Sequence, residues 1–247
     1  IALGLSGGID SALVACLAVD ALGPQNVIAV ALPGPFNAQE SEDVALKLAK
    51  NLGISIHTLG ISESYEVVKK SFESIFGAQP FGLVNENIQA RLRGVFLMAL
   101  ANREGCMVLN TSNKSEMATG YATLYGDMVG GLSPIGDLLK KDVYRLARYY
   151  NREAEIIPPF ILSRPPSAEL RPNQKDEDSL PSYDLLDAAV TAMVEKRSAA
   201  KSAADKFVLA SLYKSEFKRW QAAPILKVRP HSFGRGRRFP VAHRATT

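Results

Sequence analysis

Only two cysteines, three histidines and one tryptophan occur among the 247 residues of this sequence. Cys16 and Cys106 each lie in an apolar stretch and read as buried free thiols, not as a disulfide. No Cys/His spacing suited to zinc is present, and this thiol usage fits a reducing cytoplasm. No apolar run approaches the ~20 residues needed to cross a bilayer, so no membrane partner is expected. No internal repeat is found. No lysine follows Gly7-Gly8, which excludes the Walker type of phosphate loop. The chain opens on Ile1, directly into a strand, and reads as trimmed at its start.

What is present is ordinary in bulk and uneven in detail. Apolar residues make up 47% and charged residues 22%, values typical of a globular protein. The length suffices for one large α/β domain or for a domain with an appendage. The net charge of +4 is concentrated at the end: residues 208–247 hold nine Lys/Arg and one acid, leaving 20 basic against 24 acidic residues elsewhere. Such a tail reads as solvated or packed on acidic surface, or else as a polyanion contact; composition favours the first pair.

Periodicity predicts strands at 1–5, 27–32, 54–59 and 107–110. Helices are expected at 11–22, 40–52, 62–76, 83–103, 138–150, 183–196 and 201–220. Gly53 should cap the second helix. Residues 158–182, rich in Pro, Ser and charge, show no clear period, and residues 222–247 read as an extended tail. Strands alternating with helices indicate a doubly wound parallel sheet flanked by helices, a Rossmann-like α/β fold. In such sheets ligands sit beyond the carboxyl ends of the strands. There the sequence places its unusual runs, 6–11 and 111–116.

Ser6-Gly7-Gly8-Ile9-Asp10-Ser11 lies between a buried strand and a helix. The glycines permit a tight turn and close approach of a ligand. The helix that follows offers unpaired N–H groups and the positive end of its dipole, a phosphate site to which Ser6 and Ser11 add hydroxyls. Asp10 beside a phosphate would repel it unless Mg²⁺ bridges the two.

This run resembles the SGGxDS loop of the ATP pyrophosphatase superfamily, whose members are adenine nucleotide alpha hydrolase-like in fold and bind the β,γ-pyrophosphate of ATP there. Asn110-Thr111-Ser112-Asn113-Lys114-Ser115-Glu116, Thr119 to Asp127, and Pro134-Ile135-Gly136-Asp137-Leu138-Leu139-Lys140 resemble, in order and spacing, motifs of the NAD synthetase family. So do Asn87 to Arg93 and Ser167 to Glu177. The run Lys227 to Pro240 is similar to the C-terminal end of the glutamine-dependent, two-domain members. Leu32 to Gln39 departs from the family's Met-Pro start and Ser-rich stretch.

The resemblance implies a synthetase domain over 1–221, with a mobile active-site loop at about 163–182 and a basic tail over 222–247. It also implies ammonia taken up free or derived from glutamine, the latter from an upstream glutaminase domain outside this chain or a separate glutaminase subunit. The implied reaction adenylates the nicotinate carboxylate of deamido-NAD with ATP, and ammonia then displaces AMP. Asp10 and Glu116 would hold Mg²⁺, with Lys140 as the third catalytic group. Ser6, Gly7, Gly8, Ser11, Thr111, Lys140 and Ser167 would contact ATP. Arg91, Tyr125, Asp127 and Lys175 would meet the dinucleotide or its phosphates, Arg91 from a helix that builds a homodimer interface.

Each role has a plainer alternative. Glu116 also suits a helix N-terminus, Arg91 a surface ion pair, and Lys140 a solvated helix position, which adjacent Lys141 fits better. GMP synthetase and asparagine synthetase share the first motif but not the run from Asn110 to Lys140. A tRNA-modifying member of the superfamily is the alternative that the basic tail raises. The tail has few aromatics and no RNA-binding module is visible, so nucleic acid is not expected as a partner.

Overall fold

Short apolar runs of residues that pack on both faces produce the central strands, as in other buried parallel sheets. The computed structural model describes residues 1–234. Strand β1 (Ala2–Gly4), helix α1 (Ile9–Leu22), strand β2 (Ile28–Ala31), helix α2 (Gln39–Leu52) and strand β3 (Ser55–Thr58) form two right-following strand–helix–strand units. The strands are parallel, with β2 between β1 and β3, and Ala2 opposite Ile28 and Ile28 opposite Ser55. Gly53 adopts the left-handed conformation expected of a helix cap, φ 68°.

Helices cover both faces. Leu3, Leu5, Val27 and Ala29 pack with α1, α2, α6 (Lys140–Tyr150) and α7 (Pro159–Ser163). Val30, Leu32 and Ile61 face the other way, onto Leu92, Phe96, Leu97 and Leu100 of α4 (Leu83–Glu104), which follows α3 (Ser62–Phe76). A second apolar cluster joins α5 (Lys114–Thr119), α8 (Tyr183–Val190) and α9 (Ala203–Lys214), with Leu139, Leu180 and Phe233 in it. Helix α10 (Glu216–Arg219) follows. Among the described residues no helix is long and apolar enough to cross a membrane.

The structure corrects several sequence expectations. The strand expected at 107–110 is reduced to isolated parallel bridges, Val108 on Ala2 and Leu109 on Leu132. Asn110 N makes the last bond to the neighbouring segment, on Leu132 O at 2.8 Å; beyond it the Asn110 side chain takes over, Nδ2 donating to the Asp127 carbonyl at 2.7 Å and Oδ1 accepting from Ser112 N at 2.9 Å. Helix α6 starts at Lys140, two residues later than expected, because Leu138 N is taken by Ile135 O in a turn. The helix expected over 201–220 breaks at Ser215, where Gly120 packs so closely that a Cβ on it would strike the Ser215 side chain. The helix expected over 183–196 is α-helical only to Val190 and ends in a π-helical turn, Thr191–Glu195. Residues 158–182 are not wholly irregular, since they contain α7 and a short turn at Asp176–Asp178. Cys16 is buried, but Cys106 is only half-buried; both are free thiols.

The described part of the tail lies against the body. Ser133 N donates to Pro224 O at 2.8 Å, Ile225 bridges Ser133, and Phe233 is 2% exposed. The Arg-rich run 235–240 and the end of the tail lie outside the described residues.

Gly7 and Gly77 share a φ of +76°, but they differ in surroundings: a Cβ on Gly7 would collide with the Ser41 carbonyl, whereas Gly77 has open space. Gly77→Ala should therefore cost only the left-handed strain of ~1–2 kcal/mol. Gly7→Ala should cost distinctly more, because α2 must also move. Denaturant unfolding of the two variants checks this, and equal losses would refute it.

Candidate active site

The chain reverses its winding direction between β1 and the 107–110 segment, and the loops after both open at this switch point. Ser6 to Ser11 is knitted by its own hydroxyls. Gly8 N donates to Ser6 Oγ at 3.2 Å, Ser6 N to Ser11 Oγ at 3.3 Å, and Ser11 Oγ to Gly8 O at 3.0 Å. The loop is thereby held open toward a cavity of about 280 Å³, lined by Ser6, Gly8, Asp10, Ser11, Thr111, Glu116, Asp127, Lys140, Ser167 and Asp176 among others.

Three ionisable groups meet at its floor. Lys140 Nζ lies 2.5 Å from Asp10 Oδ2 and 3.6 Å from Glu116 Oε1, and the lysine is 2% exposed. Asn113 fixes both acids. Its Nδ2 donates to Asp10 Oδ1 at 2.8 Å, its Oδ1 accepts from Glu116 N at 3.0 Å, and its own N–H donates to Glu116 Oε2 at 3.2 Å. The last two form a capping box, the local reason why Asn113 starts α5. Burial, followed by the like charge of Asp10, pushes Glu116 up to about 8. Burial opposes the Lys140 charge, but Asp10 and Glu116 outweigh it and hold the ammonium above its ordinary range.

Residues 164–170 and Asp176 of the expected loop form part of the cavity lining. The loop is pinned by Glu169, which accepts from Asn37 Nδ2 and Ser41 Oγ, each at 2.8 Å, and from Arg164. Glu169 is a non-glycine residue at φ 50°; its three bonds offset the strain of that conformation. Asp176 accepts from the Tyr183 hydroxyl at 2.7 Å, and the Tyr183 ring lies 5.0 Å from Lys140 Nζ. Burial raises the Asp176 carboxyl above the usual range.

Arg91, Tyr125 and Lys175 are exposed and do not line this cavity. Arg91 Nε donates to Leu124 O at 3.2 Å, and the Tyr125 hydroxyl, on a residue with φ 62°, to Gln221 Oε1 at 2.5 Å. Lys175 makes a backbone bond to Asp178 at 3.0 Å. Gly7 also lies behind the lining, against Ser41. Sequence reading passed over Arg93, whose Nη2 donates to Asn37 Oδ1 at 2.9 Å and which lines the cavity. Helical spacing was the available signal, since Arg93 lies three residues after Ala90 and four before Leu97, on the inward face. It also passed over Asp187, a buried acid that accepts from Ser115 Oγ at 2.5 Å and Lys141 N at 2.8 Å.

A glycine-serine loop opposite two carboxylates and a lysine, at the switch point of a parallel sheet, defines a Rossmann-like α/β domain with its cavity where such domains take ligands. Comparison with known proteins narrows this class. The NAD synthase family profile matches residues 1–222. Glutamine-dependent NAD(+) synthetase of Synechocystis sp. is 49% identical over 97% of this chain and 44% of its own length. A glutamine-dependent NAD+ synthetase from Acinetobacter baumannii, solved in complex with adenosine diphosphate, superposes with TM-score 0.66 at 36% identity, covering 98% of this chain and 45% of that one. NMN synthetase from Francisella tularensis superposes with TM-score 0.76 at 32% identity, covering 88% and 85%. The chain belongs to the NAD synthase family, and it spans about half the length of the curated relatives it matches.

Asp127 is exposed by surface area and lines the cavity; the protein packed around its carboxyl pushes it up to about 6, above 3.8, against Thr123 N, Lys218 and Arg93. A raised carboxyl favours the neutral form in the folded state. Its contribution to stability is therefore complete below about pH 4 and is lost as the pH rises through about 6. In thermal melts Asp127→Asn should gain on the parent above pH 6 and lose that advantage near pH 4. A pH-independent difference would contradict the assignment.

Proposed function

We propose that this chain carries the ligase chemistry of a glutamine-dependent NAD synthetase: it amidates deamido-NAD to NAD, converting ATP to AMP and pyrophosphate. The observation that carries the reading is the meeting of Lys140 with Asp10 and Glu116 beneath the Gly7-Gly8 loop. The nicotinate carboxylate oxygen attacks the α-phosphorus, pyrophosphate leaves, and ammonia then attacks the acyl carbon and expels AMP. The first step joins two anions, so cationic and N–H donors must be in place beforehand. The Ser6 hydroxyl and the start of α1 suit the β,γ-phosphates, Gly8 N–H and the Ser11 hydroxyl would turn to them from their bonds within the loop, and Thr111 and Ser167 lie on the same cavity. Lys140 neutralises phosphate charge. The loop over 163–182 keeps water from an adenylate that would otherwise hydrolyse.

The residues present fit Mg²⁺. No three His, Cys, Asp or Glu groups cluster as a protein-only metal cage among the described residues. Two neighbouring carboxylates suit the way this ion is held jointly by protein and substrate phosphates. Asp10 and Glu116 would hold it, and it would supply Lewis-acid stabilisation of the phosphoryl charge.

Asp127 suits the nicotinate-ribose end, as do Tyr125 and Arg91 at the rim, and Lys175 suits phosphate on loop movement. A second copy of the chain is the partner that brings Arg91 into use. Exposed Phe72, Ile75 and Phe76 on α3, and Leu83, Val84, Val95 and Met98 on α4, give the molecule an apolar face of the kind that oligomers cover. Glutamine hydrolysis would belong to the part of the relatives that this chain does not span, or to a separate subunit. The likeness to NMN synthetase favours one second reading, in which the shorter nicotinate mononucleotide is the acceptor.

Incubation with ATP, Mg²⁺ and ammonium, offered each nucleotide in turn, should yield NAD and AMP in equal amounts from deamido-NAD, with less product from the mononucleotide. The reverse preference would reassign the substrate. Asp10→Asn should abolish AMP formation with an unchanged circular dichroism spectrum; full activity would remove Asp10 from the mechanism. Sedimentation at micromolar concentration should show a dimer, and a monomer there would leave the α3–α4 face without its proposed occupant.

A further inference from the structure

The first turns of α5 and α6 carry Glu116 and Lys140, and one segment from the far end of the chain is fastened behind both. Lys114, the first residue of α5, is 0% exposed, and all three protons of its ammonium are used. Nζ donates to Asp137 Oδ1 at 2.8 Å, to Glu195 Oε1 at 3.0 Å and to the His231 carbonyl at 2.8 Å. Asp137, also 0% exposed, accepts with its other oxygen from Val228 N at 2.9 Å and Arg229 N at 2.7 Å. The Arg229 guanidinium then spans Glu195, at 3.1 and 3.2 Å, and Asp142 in the first turn of α6. Phe233 closes the segment by entering the apolar cluster that holds Met117, Ala118 and Leu139.

Three carboxylates thus face Lys114 and Arg229, with the exposed Arg145 3.5 Å from Asp142 as a third cation. Two backbone N–H groups on Asp137 and the helix N-terminus beneath Asp142 add to them. None of the charged side chains of this arrangement lines the cavity. Its attachment points are nevertheless close in sequence to the site on both helices. Lys114 follows Asn113, which holds Asp10 and Glu116, while Asp137 and Asp142 bracket Lys140. A helix shift of an ångström at either end would change the 3.6 Å separation of Lys140 and Glu116, and displacements of that size are costly at a reacting centre.

We propose that Val228–Phe233 is a strap that sets the separation of Glu116 and Lys140, with Arg229 as its positioning residue and Lys114–Asp137 as its buried anchor. The proposal rests on the functional reading above and assigns no contact with substrate to the strap.

The test compares the full chain with Arg229→Gln, and with Arg145→Gln as control. Arg145 reaches the same Asp142 at 3.5 Å but is 80% exposed. Arg229→Gln should lower kcat by roughly 10–100-fold and raise the Mg²⁺ concentration for half-activation, as loss of support behind a metal site does. KM for deamido-NAD should stay within about twofold, because that nucleotide is held elsewhere. Arg145→Gln should match the parent. Should Arg229→Gln melt below the assay temperature, Asp142→Asn, which keeps shape and drops one charge, takes its place. Parent-like kcat and Mg²⁺ dependence in the folded variant would overturn the strap, as would melting of both variants, which would make the network a support of the fold alone. If the parent itself makes no NAD, the functional reading fails separately. The strap is then judged on calorimetric MgATP affinity, where a weaker Arg229→Gln supports it and equal affinities overturn it.

Discussion

The Lys140 ammonium sits between two carboxylates that could not otherwise share the floor of one cavity. Removing a charge from water is costly unless partners replace the solvent, and here each charge is the partner of the others. Asp10 comes from the start of α1, Glu116 from α5 and Lys140 from α6. The ion group can exist only while three helix N-termini from three parts of the chain point at one place. The parallel sheet supplies that convergence, because every strand ends on the same side. Helix dipoles add to it, since two of the three groups are acids in first turns, where the backbone favours negative charge. Burial first, and the like charge of Asp10 second, push Glu116 up to about 8 against the pull of Lys140. A cation brought beside the two acids would favour the ionised form of Glu116.

The β1–β3 core was legible because its strands are short apolar runs closed by glycine or proline, and its helices carry their own stop signals, such as Gly53 and Gly77. Ser62–Phe76 matches its expected range residue for residue. The segment at 107–110 was legible as a stretch that pairs beside β1 but not in its brevity: only Val108 and Leu109 bridge their neighbours, and the Asn110 side chain turns to Asp127 and Val129. No local pattern announces that choice. The break at Ser215 has a similar origin, in a close approach to Gly120 from nearly a hundred residues away. Local periodicity registers faces of helices, and non-local packing decides where they stop.

The candidate site shows the same division. Asp10 could be picked out because its run makes physical sense beside a phosphate, and Glu116 and Lys140 through the resemblance of their runs to NAD synthetase motifs. Arg93 could have been picked out by counting around α4. Lys114, Asp137 and Asp187 could not: their side chains turn away from the cavity and meet partners as distant as Glu195 and His231. Lys114 and Asp137 stand inside motifs that also carry cavity groups, so sequence alone gives both kinds of residue the same appearance. Burial alone does not separate them, since Lys140 is itself 2% exposed; Lys140 lines the cavity, whereas Lys114 does not and has its three donor positions filled, leaving nothing with which to hold a ligand.

The loop over 163–182 adds a second constraint to the ion group. Glu169 ties it to Asn37 and Ser41, and the Ser41 carbonyl in turn blocks any side chain at Gly7. The phosphate loop, the start of α2 and the covering loop therefore share one point of contact. At the other end Asp176 and Tyr183 bring the same loop to Lys140. A segment fastened at both places ties the wall beside Gly7 to the Lys140 ammonium, so the glycine-serine loop and the ion group depend on the same stretch of chain. Glu169, at φ 50°, holds its turn through its bonds to Asn37, Ser41 and Arg164, and loss of those bonds would leave the strain of that conformation without an offset.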